Sequence, residues 1–181
     1  MVGVKRVWGV SLTVPLKFDH PPLLAPGRHY LSLQQIESLC VHPFSGQART
    51  RRERLFYGLE EVIQQLLIAK IPCDVFVDGS FFTEKPDPED VDCLVTVEYS
   101  VMQVLTRDQR LRLDALNQEV YVAGVDSLAV TKYPRGHQFF GSALDVGNAG
   151  EAYGLEHSKV WLKGCGVLRL GETNVGLRIC R

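Results

Sequence analysis

The chain has 181 residues, of which 45% are hydrophobic and 23% are charged, and its formal net charge is −1. A balance this close to neutral argues against a protein that coats nucleic acid or binds an anionic membrane surface through bulk charge. The sequence has no run of about 18 apolar residues, so no transmembrane helix and no membrane partner are expected. We therefore expect a single domain over residues 1–181 with a sizeable core.

Five cysteines are scattered along the chain, odd in number and without a C-x-x-C pair. This usage fits buried thiols in a reducing compartment better than a disulfide framework. The N-terminal stretch lacks a continuous apolar run and a small-residue cleavage site, so no signal peptide is expected. A cytoplasmic protein is the prediction.

The first third of the chain alternates between extended and helical signals. Residues 1–20 alternate loosely in hydrophobicity and could form an edge strand. Three prolines and a glycine in residues 21–27 predict an extended arm and a turn. Ser32 is then placed to cap a short helix that runs to about Cys40.

The strongest helix signal begins at Thr50. Thr50 and Glu53 have the spacing of a capping box, in which the two side chains bond the free amides of the first turn. Leucine, valine and isoleucine then recur at helical spacing, which predicts one buried face. The helix is expected to end near Lys70, before Pro72.

Short apolar runs bounded by turn residues predict strands in the rest of the chain, and one polar segment with regularly spaced leucines predicts a helix. The predicted elements are strands over 73–79 and 91–99, a helix over 106–118, a strand over 119–134 that a bulge at Gly124 could divide, a glycine-rich loop over 134–159 and a last strand over 160–173.

This element order predicts an α/β or α+β fold with a mixed β-sheet and flanking helices on one face. Within the single domain, residues 1–48 would form an N-terminal arm and a short helix. Residues 49–132 would form the core. Residues 133–181 would supply the glycine-rich loop and the C-terminal strand.

Two carboxylates open the second predicted strand, in the stretch VFVDGSFFTEKPDPEDVDCLVTV. Asp90 and Asp92 are two residues apart, so in a strand their side chains point to the same face. Two neighbouring carboxylates repel and raise one another's pKa. A divalent cation removes that repulsion, and hard oxygen ligands suit Mg²⁺, or Mn²⁺ in its place.

A Gly-Ser turn precedes these carboxylates by one loop. Gly79 would let the backbone approach a phosphate group closely, and Ser80 offers a hydroxyl and an amide to a phosphate oxygen. Carboxylates for Mg²⁺ on one side and phosphate-binding donors on the other are typical of nucleoside triphosphate chemistry.

Gly79-Ser80 followed by Asp90-x-Asp92 resembles the signature of the nucleotidyltransferase (polymerase β-like) superfamily. The resemblance implies a minimal nucleotidyltransferase fold and a third carboxylate on a later strand. The best candidate is Asp126, an acidic residue in an apolar strand, where burial without a partner would cost several kcal/mol. A shared metal ion would explain its position.

Residues 18–145 more narrowly resemble small bacterial nucleotidyltransferase-like proteins, some linked to toxin–antitoxin or phage-defence loci. The resemblance implies that Asp90, Asp92 and Asp126 are the catalytic metal ligands. It also implies nucleotide binding, ATP included, by Gly79 and Ser80. A nucleotide would pass from a nucleoside triphosphate to a hydroxyl of a protein or RNA acceptor, and a partner protein is possible.

Two other classes of function remain open. The same fold could serve as a non-catalytic module that binds a nucleotide or a partner protein. The same carboxylates could also serve a metal-dependent nuclease.

Cations near the predicted site have two interpretations each. Lys85, in the loop, could contact a phosphate or could be an ordinary loop lysine. Four arginines, Arg49, Arg51, Arg52 and Arg54, lie at a predicted helix start, where the helix dipole favours anions. They could bind a polyanion or form a solvated face.

Overall fold

The computed structural model describes residues 20–118, 121–141 and 163–171. These residues form a mixed five-stranded sheet with helices, so the expected α+β class is confirmed. In chain order the elements are β1 (Gly27–Tyr30), α1 (Leu33–Cys40), α2 (Gly46–Ile68), β2 (Cys73–Asp78), β3 (Val91–Glu98), α3 (Tyr99–Val104), α4 (Arg107–Leu116), β4 (Val125–Lys132) and β5 (Gly164–Leu170).

The strand order across the sheet is β1-β5-β2-β3-β4. Strand β2 is antiparallel to both of its neighbours, β3 and β5. The outer pairs, β1 with β5 and β3 with β4, are parallel. Consequently the C-terminal end of β2 lies at the same end of the sheet as the N-terminal ends of the other four strands.

The two faces of the sheet differ in what they contact. On one face, Val77 and Cys93 belong to the main apolar core together with α1 and α2 residues such as Ile36 and Leu59. On the other face, a smaller cluster contains Phe76, Leu94, Cys165 and Val167. Since side chains alternate along a strand, alternate positions of β2 and β3 serve the two faces.

Two short helices begin at capping boxes. The Gln35 amide donates to the Ser32 hydroxyl and the Ser32 amide donates to Oε1 of Gln35, so the predicted first helix is confirmed. Thr106 and Gln109 form the same reciprocal pair at the start of α4. Each box satisfies two amides that would otherwise lack partners.

The predicted start of the long helix is wrong by one turn. Helix α2 begins at Gly46, and Ser45 precedes it without a side-chain cap. The Thr50 hydroxyl donates to the Gly46 carbonyl, while Glu53 accepts from Arg49 at 2.9 Å. The two residues of the expected capping box therefore have other partners inside the helix.

Other differences concern short elements. Strand β1 and helix α3 were not predicted, because elements of four and six residues carry little periodic signal. The strand predicted over 119–134 is confirmed only as Val125–Lys132, after a turn at Gly124 with φ of +79°. The predicted strands at 73–79, 91–99 and 160–173 are confirmed as β2, β3 and β5.

Several predictions fall wholly or largely outside the described residues. These are the edge strand in residues 1–20 and most of the glycine-rich loop over 134–159. The subdivision of the domain at residues 48 and 132 stays a prediction.

The described cysteines Cys40, Cys73, Cys93 and Cys165 are free thiols, all buried. This agrees with the expectation of unbonded cysteines in the core. In residues 20–118, 121–141 and 163–171, no helix has the length and apolar character needed to cross a membrane.

Candidate functional site

The candidate site is a row of aspartates across three neighbouring strands. Asp78, the last residue of β2, is the register partner of Asp92 on β3. Asp92 is in turn the register partner of Asp126 on β4. Register partners lie about 5 Å apart at Cα and share one face of the sheet. The row lies on the face that carries the smaller apolar cluster.

Asp90 joins this row from the loop. It lies immediately before β3 and two residues before Asp92, and it is partly exposed. Its charge is one of the influences that raise the pKa of Asp92. The structure therefore brings together the three carboxylates expected from the sequence.

The reason given for Asp126 from its sequence is wrong. Asp126 is exposed on β4, the last strand in the sheet order, so no burial cost has to be offset. Its place in the row comes from the parallel register of β3 and β4. Its role as a metal ligand stays a prediction.

The Gly-Ser turn closes directly on the row. Gly79 has φ of +84°, and a Cβ built there would overlap Oδ2 of Asp92 and lie 2.9 Å from its Cγ. Ser80 begins a single 3₁₀ turn over Ser80–Phe82 and accepts bonds from the amide and hydroxyl of Thr83. Any side chain at position 79 would displace the Asp92 carboxylate.

Replacing Gly79 with Ala should move Asp92 and destabilise the fold by about 2–4 kcal/mol, through backbone strain and overlap together. Gly136→Ala is the matched control, because Gly136 has φ of +89° but nothing within 4 Å of the point that a Cβ would occupy. That variant should lose only about 1 kcal/mol. Urea denaturation measures both, and equal losses would contradict a steric role for Gly79.

Asp92 is the electrostatic centre of the row. Burial raises the pKa of Asp92 to about 6, and the neighbouring charges of Asp90, Asp78 and Asp126 act in the same direction. Lys163 opposes them. A cation bound at this row would favour the ionised form of Asp92.

Replacing Asp92 with Asn should stabilise the metal-free protein at pH 7 but not at pH 4. Since the folded state raises the pKa of Asp92 to about 6, the folded protein holds this proton more tightly than the unfolded chain. Wild-type stability should therefore fall as the pH rises from about 4 to about 6, and stay low above that. The expected advantage of the variant at pH 7 is about 2–3 kcal/mol.

Urea denaturation in a chelator at the two pH values measures this difference. Asp87→Asn is the control, since the Asp87 side chain is 85% exposed and should contribute little at either pH. An advantage of Asp92→Asn that is the same at both pH values would contradict the titration of Asp92.

Sequence reasoning missed an ion pair at the site. Lys163, just before β5, places Nζ 3.0 Å from Oδ1 of Asp78, with both side chains nearly buried. Asp78 was recognisable as an acidic residue that ends an apolar strand directly before the Gly-Ser turn. Lys163 carried no such signal, since it is brought to Asp78 only by the pairing of β5 with β2.

A buried arginine holds the loop that follows the turn. The Arg52 guanidinium donates to four backbone carbonyls and lies 3.7 Å from the centroid of the Phe44 ring. The carbonyls belong to Cys40 at 2.9 Å, Phe81 at 2.8 Å, and Thr83 and Lys85 at 2.6 Å each. Burial lowers the pKa of Arg52 to about 10, so the side chain stays charged at neutral pH.

The polyanion interpretation is therefore wrong for Arg52, and for Arg51 it stays a prediction. Arg52 is fully buried against the loop, and Arg51 donates to the Pro88 and Glu89 carbonyls. Both bind the segment between the Gly-Ser turn and Asp90. These bonds hold in place the loop that leads from the Gly-Ser turn to Asp90.

Lys85 is engaged within the same loop. Its ammonium lies 3.5 Å from Oε1 of Glu89, and its amide donates to the Thr83 hydroxyl. These contacts support the loop-lysine interpretation, while a phosphate contact by Lys85 stays a prediction.

The chemistry of the donor set fits a hard divalent cation. The aspartates offer carboxylate oxygens, burial and then mutual repulsion raise the pKa of Asp92, and the cation would be held by Asp90, Asp92 and Asp126. As placed in residues 20–118, 121–141 and 163–171, no three His, Cys, Asp or Glu side chains already form a metal-binding group.

Comparison with known proteins assigns a family. The model of a family of unknown function, DUF6932, matches residues 16–164, which include the Gly-Ser turn and the aspartate row. No curated protein and no solved structure gives a match. Because the matched span covers most of the chain, the protein belongs to the family of unknown function DUF6932.

Proposed function

We propose that this protein is a metal-dependent nucleotidyltransferase that transfers a nucleotide from a nucleoside triphosphate to a hydroxyl of a protein or RNA acceptor. The observation that carries the proposal is the register that aligns Asp92 with Asp126 while the Gly79 turn closes on Asp92. A phosphate-binding turn against aligned carboxylates is what phosphoryl transfer requires.

Each residue has a stated part in this reaction. Asp90 and Asp92 would hold Mg²⁺ or Mn²⁺, which when bound stabilises negative charge on the phosphate oxygens. The amides and hydroxyl of the Gly79-Ser80 turn would orient the phosphates. Asp126, exposed at the side of the row, would complete the metal site and accept the proton of the acceptor hydroxyl.

The bond changes are those of a single displacement at phosphorus. The acceptor oxygen forms a bond to the α-phosphorus, and the bridging bond between the α- and β-phosphates breaks. Pyrophosphate leaves with the electron pair of that bond. The chain's contribution is to align the two oxygens and to stabilise the charge that develops between them.

A non-catalytic binding module is the second candidate, favoured by the Lys163–Asp78 ion pair. That pair already neutralises part of the aspartate row with a cation of the protein itself. A nucleotide or a partner protein could then bind here without chemistry following. The nuclease alternative has no observation of its own.

Incubation of the purified protein with each labelled nucleoside triphosphate, Mg²⁺ and candidate RNA or protein acceptors tests the proposal. We expect label on the acceptor and stoichiometric release of pyrophosphate. A shortened RNA would instead support the nuclease, and tight nucleotide binding without any product would support the binding module. Omitting Mg²⁺ and Mn²⁺ should abolish transfer.

A further inference from the structure

On the other two strands, a cysteine and an arginine occupy the positions in line with the aspartate row. Strand β5 pairs with β2 up to Val77 and Gly166, and the next step of this register sets Asp78 opposite Cys165. Cys165 is in turn the register partner of Arg28 on β1. One row therefore crosses the whole sheet: Arg28, Cys165, Asp78, Asp92 and Asp126.

Charge is divided along this row. Asp92 and Asp126 occupy the end formed by β3 and β4, and Arg28 occupies the end formed by β1. Lys163 lies between them, two residues before Cys165, with its ammonium against Asp78. The site thus has an anionic half on β3 and β4 and a cationic half at β1 and β5, and Asp78 on β2 lies between the two halves.

The two cations differ in exposure. The Lys163 side chain is 12% exposed, and its Nζ lies 3.0 Å from Oδ1 of Asp78. Arg28 is exposed, and its guanidinium carbon lies 5.0 Å from the centroid of the Phe76 ring. Phe76 is two residues before Asp78, so the ring supports Arg28 on the face that carries the row.

We propose that Lys163 and Arg28 form a polyphosphate-binding subsite beside the aspartates, and that Lys163 rather than Lys85 is its central cation. A metal-bound polyphosphate keeps negative charge that the anionic half of the row repels. Lys163 and Arg28 offer donors on the side away from Asp92 and Asp126. For a nucleoside triphosphate as ligand, this inference rests on the proposed function.

The buried ion pair preorganises the subsite. Asp78 fixes the ammonium of Lys163 in one position, so little side-chain entropy is lost when a phosphate oxygen binds. By contrast, Lys85 is paired with Glu89 in the loop after the turn. The same chemistry would also accept inorganic tripolyphosphate, so both ligands have to be tested.

Titration calorimetry at constant Mg²⁺ with ATP, inorganic tripolyphosphate and AMP tests the subsite. Lys163→Met should weaken binding of ATP and tripolyphosphate by about tenfold to a hundredfold, the range for one charge-assisted hydrogen bond. Arg28→Gln should weaken both by about threefold to tenfold. AMP, which lacks the β- and γ-phosphates, should change by less than about threefold in either variant.

Two further variants control for folding and for general charge. Asp78→Asn combined with Lys163→Met removes both charges of the buried pair, so a folded protein is available even if Lys163→Met alone is unstable. It should show the same loss of ATP affinity. Lys132→Gln removes a lysine charge at the far end of β4, where Lys132 is exposed and paired with Glu98, and should leave affinity within about twofold.

The outcomes separate this inference from the proposed function. If both Lys163 variants bind ATP like wild type while Asp92→Asn does not, the subsite is wrong and the proposed function stands. If AMP binding falls as much as ATP binding, Lys163 does not contact the β- and γ-phosphates and the subsite is wrong. If tripolyphosphate binds in a Lys163-dependent way but ATP does not bind, the subsite is supported and a nucleoside triphosphate is not its ligand. If neither ATP nor tripolyphosphate binds, both the subsite and the proposed function are wrong.

Discussion

Replacing Asp90 and Asp92 together with Asn is expected to lower nucleotide transfer by about a thousandfold or more, with the fold intact. Asn keeps the volume and part of the hydrogen-bonding capacity of Asp but removes the charge that would hold a divalent cation. Charge stabilisation in the transition state then fails, and this contribution is among the largest in phosphoryl transfer. Stability should hold or rise, because the burial and the repulsion that raise the pKa of Asp92 no longer act on a charged group.

The measurement is transfer of labelled nucleotide in single-turnover conditions, with product identity checked. Asp87→Asn is the matched control, since Asp87 lies in the same loop with its side chain 85% exposed and pairs only loosely with Arg51 at 3.6 Å. It should keep transfer within about twofold. A double variant that retains wild-type transfer would rule out a catalytic role for Asp90 and Asp92.

Arg52→Met is expected to cause the largest loss of stability, about 3–5 kcal/mol in the free energy of unfolding. The side chain is fully buried and donates to the carbonyls of Cys40, Phe81, Thr83 and Lys85. Methionine fills a similar volume but leaves these acceptors without their donor. Three of the carbonyls lie between the Gly-Ser turn and Asp90, so nucleotide affinity should fall as well.

Arg54→Met provides the comparison, because Arg54 is exposed on the same helix and its replacement should change stability by less than about 0.5 kcal/mol. Urea denaturation measures both variants. Arg52→Lys should fall between them, since a lysine has three donors and cannot reproduce the planar fork of the guanidinium. Equal stability of Arg52→Met and Arg54→Met would show that the loop does not depend on the buried arginine.

Local signals predicted the elements whose cause is local. The Ser32 cap and the apolar strands over 73–79 and 91–99 lie where the sequence places them. The start of α2 was misplaced because Thr50 and Glu53 match a capping box that the chain does not form. Their side chains instead bond Gly46 and Arg49, and a sequence pattern does not rank such competing partners.

The residues of the candidate site likewise divide into those that local sequence signals indicate and those that depend on distant contacts. Gly79, Asp90 and Asp92 were found because strand period and turn chemistry are read within one stretch of chain. Lys163 and the loop-binding function of Arg52 depend on contacts between residues that are 85 and about 30 positions apart, respectively, in the chain. The pairing of β5 with β2 brings Lys163 to Asp78, and the path of the loop brings its carbonyls to Arg52. Neither contact follows from local spacing in the sequence.

The position of β5 between β1 and β2 has a consequence for how this protein is made. Residues 164–170 insert between β1 and β2, which precede them by more than 80 residues. Until this segment has left the ribosome, β1 has no partner strand among the described residues, and one edge of β2 offers unpaired backbone groups to other chains. Such distant pairing slows folding, so we expect nascent chains stalled before residue 164 to depend on chaperones.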